Sequence, residues 1–191
     1  MRGKYMSKGK FFSSLDKGFA FCDVVLGWDV KDQLYDNVSF TGWHSGFPDA
    51  PVTIRPDSCR DLPLEGNMLL FIGHFVEQAK QLCPRSTFMR VVEKAKNMGF
   101  DVSAALEYEF FLFNETPDSI RNKGFQDLQP MTPDNFGYSI LRNSVHADLY
   151  QQIMELAEQM DFPSESLHTE TGPGVIEAAI AVDDVVAAAD K

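Results

Sequence analysis

Positive charge is scarce in this 191-residue chain: 17 Lys and Arg stand against 28 Asp and Glu, for a formal net charge of −11. Neutralising phosphates takes clustered Lys and Arg, so this balance excludes a nucleic-acid binder. Cysteine is sparse too. Cys22, Cys59 and Cys83 are odd in number and scattered, which leaves neither a disulfide framework nor a zinc cage. No apolar run approaches the roughly 20 residues that a membrane-spanning helix needs. Internal repeats and low-complexity tracts are missing. Met1–Tyr5 is basic but leads into Lys8, Lys10 and polar residues, not into the apolar stretch of a signal peptide. What is present, 44% hydrophobic and 24% charged residues, is the balance of a globular protein able to bury a core. The expectation is a soluble, cytoplasmic chain of one domain or two small ones, not built for DNA, RNA or lipid.

The charge is unevenly placed. Arg2, Lys4, Lys8, Lys10 and Lys17 crowd the start, whereas Asn143–Asp190 holds ten acids and no Lys or Arg. A solvated acidic helix face accounts for some of these acids, and convergence on a cation for others.

Residues 19–76 are rich in β-branched and aromatic side chains broken by turn formers. Phe21–Asp29, Gln33–Val38, Val52–Arg55 and Met68–Phe75 read as strands, with Asp49, Pro51, Asp57 and Gly66 marking turns. Pro84 suits the first turn of a helix carried on by Phe88, Val91, Val92, Ala95 and Met98, and Gly99 sits where a left-handed cap belongs. Asp101–Phe113 alternates as a strand, and Pro117, Pro130 and Pro133 mark a long loop. Val145, Leu149, Ile153, Leu156 and Met160 then stripe a second helix, with Ser144 as its expected cap. Leu167–Glu170 and Val175–Ile180 read as short strands around Gly172-Pro173-Gly174. A final helix is expected from about Val182, still in progress at Lys191.

Two segments carry acids in a pattern that suggests chemistry. On the strand through Leu106–Phe113, side chains alternate, so Glu107 and Glu109 share one face about 7 Å apart. Phe111 and Phe113 continue that face. Two carboxylates beside aromatics repel and lose hydration unless a cation holds them; the alternative is a half-exposed strand with two surface glutamates. In Glu170–Glu177, a four-residue turn over Thr171–Gly174 sets Glu170 against Val175 and His168 against Glu177, with both glutamates on one side. A three-residue loop without a bulge puts them on opposite faces. Four glutamates indicate a hard cation, Mg²⁺ or Mn²⁺, not zinc or copper. Pairs of such ions commonly serve phosphoryl transfer. His44, His74, His146 and His168 form no close pair, so a histidine site is not expected. Cys22 reads as a buried small residue.

Together these segments resemble the glutamine synthetase family. Glu107-Tyr108-Glu109-Phe110 is similar to its Glu-x-Glu-Phe metal strand, and His168–Glu177 to its His-x-Glu…Pro-Gly-x-x-Glu element. Asp36-x-x-Ser39-x-x-Gly42-Trp43 resembles its Asp-Gly-Ser-Ser-x-x-Gly-Trp loop, and Cys83-Pro84-Arg85 stands where the family often reads Asp-Pro-Arg. The resemblance implies an α+β chain. An incomplete β-grasp N-terminal domain, residues 1–78, precedes the first part of an ATP-guanido-kinase-like catalytic α/β domain, residues 79–191. It implies that Glu109, Glu170 and Glu177 bind the metal beside substrate glutamate, that Glu107 serves a second metal beside the ATP phosphates, and that Glu165 contacts nucleotide. Asp36, helped by Ser39, takes a proton from ammonium, and Tyr138 lines that pocket. The implied reaction makes a γ-glutamyl phosphate from ATP and glutamate, then glutamine with ammonia. The implied cofactors are two Mg²⁺ or Mn²⁺ ions, and the implied assembly a homo-oligomeric ring. The Thr169–Gly174 wording leans toward branches that ligate other amines, so the acceptor stays open between ammonia and a polyamine or other amine. The family continues through an Asn-x-Ser-Gly-x-His segment and several arginines, so the expectation here is a partial chain, inactive alone. A non-catalytic relative is the rival.

Overall fold

The computed structural model describes residues 2–66 and 68–191. In chain order it contains α1 (Lys8–Lys17), β1 (Phe19–Cys22), β2 (Asp49–Ile54), β3 (Arg60–Asp61), β4 (Leu69–Leu70), β5 (Gly73–Phe75) and α2 (Pro84–Asn97). There follow β6 (Ser103–Phe111), α3 (Pro117–Asn122), α4 (Ile140–Asn143), α5 (Ala147–Gln159), β7 (Ser164–Thr169), β8 (Val175–Asp184) and α6 (Val185–Ala189). Helix and strand mix throughout, and the chain divides by contacts into two units. One comprises Met1–Cys59 with Leu70–Asp101, the other Arg60–Leu69 with Val102–Lys191. This division leaves α2 in the first unit, where the sequence reading sets a boundary at 78/79.

In the first unit, β2 lies between β1 and β5 in an antiparallel sheet. Phe75, Ala79 and Cys83 form its buried core, with Phe21, Val25, Leu26, Phe40, Ala50 and Val52 packed against them. Pro51 runs through β2 instead of marking a turn. The ladder to β5 starts at Val52, and Pro51 offers that side only its carbonyl, which accepts from Val76 N at 3.0 Å. Phe21–Asp29 is not one strand, because Asp23–Gly27 turns into a 3-10 helix. Asp23 is buried there, accepting from Thr41 Oγ1 at 2.7 Å, which ties the Asp36–Trp43 loop down and turns Val25 and Leu26 to the core. Packing overrides strand propensity. Gln33–Val38 is likewise no strand beyond the bridge Trp28↔Leu34. Asp29 Oδ1 accepts from both Lys31 N and Gln33 N, an aspartate turn that bends the backbone away. Met68–Phe75 breaks into two short strands, β4 and β5. Cys22 is half-buried, its Sγ 3.3 Å from Phe47 O. Helix α1, absent from the sequence reading, is capped by Ser7, whose Oγ accepts from Lys10 N. Helix α2 runs as expected, with Pro84 in its first turn and Gly99 at φ +87° just past its end.

The second unit centres on a three-stranded antiparallel sheet in the order β6-β8-β7. Ile176 is fully buried, and Val175, Ile180 and Ala188 are nearly so. The segment read as one long loop contains α3, started by Pro117 with Thr116 and Ser119 in a capping box. Ser144 does not start α5; it ends α4, its backbone N–H donating to Ile140 O. Its hydroxyl donates to Leu141 O at 2.8 Å, inside a helical run whose start is capped by Ser139. The last strand extends to Asp184, further than expected, because β8 pairs with β6 as far as Ser103↔Asp184. The final helix therefore begins at Val185, with Asp184 Oδ1 accepting from Val186 N. Among the described residues no helix is long and apolar enough to cross a membrane.

Candidate metal centre

The sheet of the second unit brings the acids together through register. Glu109 on β6 is paired with Glu177 on β8, and Glu177 with His168 on β7, so the three stand in one row across three strands. Residues directly opposite share a face, which is therefore the face of Glu109, Glu177 and His168. Glu107 is two residues along β6 from Glu109, opposite Ala179, and returns to that same face.

Glu170 joins through the turn. Its N–H donates to Val175 O at 3.1 Å and closes a four-residue loop, Thr171–Gly174, so the register is the one that keeps Glu170 with Glu177. Two glycines make this loop possible. Gly172 has φ +137° and Gly174 φ +73°, and a Cβ on Gly174 would lie 2.5 Å from Leu112 O.

The result is a compact donor set. One ligand atom each from His168, Glu170 and Glu177 fit within 4.8 Å of one another. The imidazole lies between the two carboxylates, Nδ1 3.7 Å from Glu170 Oε1 and Nε2 3.7 Å from Glu177 Oε1. Tyr138 stacks on the His168 ring at 4.4 Å. His168 is the residue that sequence reasoning left out of the site. The signal was there: His168-x-Glu170 on a strand puts both side chains on one face.

Electrostatics separates the two central carboxylates. Glu170 is held below the ordinary carboxylate value, first by the Thr171 backbone N–H and then by the Tyr138 hydroxyl. Tyr138 is pushed up in turn, chiefly by the Glu170 carboxylate. Glu177 is pushed up, first by loss of hydration and then by the negative charges of Glu107, Glu170 and Glu109, which His168 only partly offsets. The carboxylate oxygens around Glu177 are hard donors that fit a hard divalent cation such as Mg²⁺ or Mn²⁺, with the His168 imidazole a borderline donor beside them.

The remaining expected residues belong to other parts of the chain. Glu165 is the extra residue of a bulge in β7, between the pairs Ser164↔Ile180 and Ser166↔Ala179, and is exposed. Asp36 and Ser39 belong to the first unit, both exposed on its loop. Ser39 lines a cleft of about 510 Å³ there, together with Asp23, Asp49 and Glu77.

A helix-and-strand unit whose central antiparallel sheet gathers carboxylates in this way offers a candidate cation site. The family model for the glutamine synthetase catalytic domain matches residues 81–191, and the chain belongs to the glutamine synthetase family. It is 42% identical to type-1 glutamine synthetase 2 of Dictyostelium discoideum, over 100% of this chain and 37% of that protein. It is 31% identical to a glutamate–isopropylamine ligase of a Pseudomonas species, over 99% of this chain and 42% of that one. A solved structure described as a novel glutamine synthase homolog superposes with a TM-score of 0.71 over 99% of this chain and 42% of its own, at 20% identity, which shows the shared fold. The chain thus spans well under half the length of the relatives it matches.

Proposed function

We propose that this chain is part of an ATP-dependent ligase that joins ammonia to the side-chain carboxylate of glutamate through a γ-glutamyl phosphate, giving glutamine. The observation that carries it is the row Glu109–Glu177–His168 with Glu170 folded back beside it. Glu109, Glu170 and Glu177 hold one Mg²⁺ or Mn²⁺ beside the substrate glutamate, and Glu107 serves a second beside the ATP phosphates. The ions offset charge on the transferring phosphoryl group. Tyr138 orients Glu170 and lines the amine pocket, Asp36 with Ser39 takes a proton from ammonium, and Glu165 contacts nucleotide. Residues 1–78 form a β-grasp domain, and residues 79–191 belong to the ATP-guanido-kinase-like catalytic domain, a boundary supported by the start of the family match at 81. The full protein works as a cytoplasmic homo-oligomeric ring.

A second reading, ligation of a larger amine, rests on the 31% identity to a glutamate–isopropylamine ligase across nearly the whole chain. A chimera tests both. This segment replaces the matching 37% of the Dictyostelium relative, and phosphate release from ATP is followed with glutamate and either ammonium or isopropylamine. Release that needs ammonium, and that Glu109→Gln abolishes, is the expected result. Release with isopropylamine alone favours the second reading. A folded chimera indifferent to Glu109→Gln removes the site.

A further inference from the structure

The turn between Glu170 and Glu177 is held from outside as well as by its own bonds, through a neighbouring segment of the same unit. Leu112 N donates to Gly174 O at 2.8 Å, and Met131 N to Leu112 O at 2.9 Å. Gly174 N donates to Thr132 Oγ1 at 2.6 Å, and Gly172 N to Asn135 Oδ1 at 3.3 Å. On the other side of Glu170, Thr169 Oγ1 donates to Phe136 O at 2.8 Å, and Tyr138 N to Thr169 O at 3.0 Å. Both turn glycines thus give their N–H to a side chain of the 132–135 stretch, and the residue before Glu170 is clamped to 136 and 138.

Thr132 is the buried member of this set, only 5% exposed. Its hydroxyl is the acceptor for the backbone N–H of Gly174, itself buried, where a Cβ would meet Leu112 O, Met131 N and Pro130 within 3.2 Å. Without that hydroxyl the Gly174 N–H is left unsatisfied, and the left-handed turn loses the contact that fixes it. The distance between Glu170 and Glu177 is set by that turn. Small divalent ions demand near-ideal ligand geometry, so slack in the turn is felt at the ligands.

We propose that Thr132 is a positioning residue for the metal centre, with Asn135 as its exposed partner: together they lock the Thr171–Gly174 turn and so fix Glu170 against Glu177. This rests on the reading of those glutamates as metal ligands. The probe is Tb³⁺, which binds carboxylate sites and whose emission a nearby tyrosine, here Tyr138, sensitises.

In the 191-residue chain, Thr132→Val is expected to weaken Tb³⁺ binding about tenfold, the scale of losing a supporting contact around a metal ligand. Thr132→Ser keeps the hydroxyl and restores it. Asn135→Ala changes an exposed side chain, leaves the fold intact by circular dichroism, and weakens binding in the same direction. Glu177→Gln separates the two levels. If it leaves Tb³⁺ binding unchanged, the metal reading itself fails. If it removes binding while Thr132→Val and Asn135→Ala bind as the parent does, the positioning role is overturned. Loss in Thr132→Val that Thr132→Ser does not rescue overturns it as well.

Discussion

Glu177, the proposed central ligand, is held in the fold against its own charge. It stands between Glu109 and His168 in its row and feels the charges of Glu107, Glu170 and Glu109 while losing hydration. Its carboxyl is consequently pushed up, so the ionised form that binds a cation is the costlier one in the folded state. Glu170 stands beside it with the opposite shift, because Thr171 N–H and the Tyr138 hydroxyl feed its oxygens. The expected outcome for Glu177→Gln follows. In chelator-treated protein the melting temperature rises, since repulsion and desolvation are relieved. On adding Mn²⁺ the parent gains stability, as any ligand of the native state confers, and the variant does not. Calorimetric melts with and without Mn²⁺ read both. A variant that melts lower without metal and still responds to it would show that Glu177 is an ordinary structural partner.

At the scale of elements, the segment between β6 and β8 is ordered by a carboxylate of its own. Glu115 has its side chain 3% exposed and accepts from Lys123 Nζ, Ser119 Oγ and the Gln129 backbone N–H. The Lys123 bond comes first, the Ser119 and Gln129 bonds next, and the carboxyl is lowered from its ordinary value near 4.5 to about 2. A carboxyl with a depressed folded value adds stability above its unfolded value and loses it as pH falls toward the folded one. The parent is therefore expected to lose stability relative to Glu115→Gln between about pH 4.5 and 2, and to hold a constant advantage above pH 5. Thermal melts across that range measure the difference, and two parallel profiles would leave Glu115 without this role.

How legible these elements were depended on whether their cause was local. Helix α2 announces itself by Pro84, an apolar stripe and Gly99, and the β7–β8 turn by Gly172-Pro173-Gly174. The Glu107/Glu109 face follows from strand alternation alone. The pairing of Glu109 with Glu177 did not, since it is set by contact between strands far apart in sequence. Asp23–Gly27 was missed for the same reason: a buried bond to Thr41 decides it. Helix α3 was legible after all. Its Thr116-Pro117-Asp118-Ser119 start is a capping sequence that the prolines of the neighbouring loop disguised.

For the whole molecule, the charge distribution decides what this polypeptide can do by itself. The acids gathered on the β6–β8–β7 face come with a chain stretch, Asn143–Asp190, that has no Lys or Arg. Phosphoryl transfer needs positive charge on the moving group beyond what bound cations give, commonly from arginine or lysine clamps. The chain covers only 37% of its Dictyostelium relative, and the row Glu109–Glu177–His168 with Glu107 and Glu170 contains no Lys or Arg. The separation of binding from turnover is thus expected to be complete. The 191-residue polypeptide takes up Mn²⁺, seen as loss of the free-ion paramagnetic signal. It releases no phosphate from ATP in the presence of glutamate and ammonium. Steady phosphate release that required both co-substrates would mean that the residues described here suffice for catalysis. It would also place the cationic clamp among the lysines and arginines of the first 142 positions, where every basic residue except Lys191 is found.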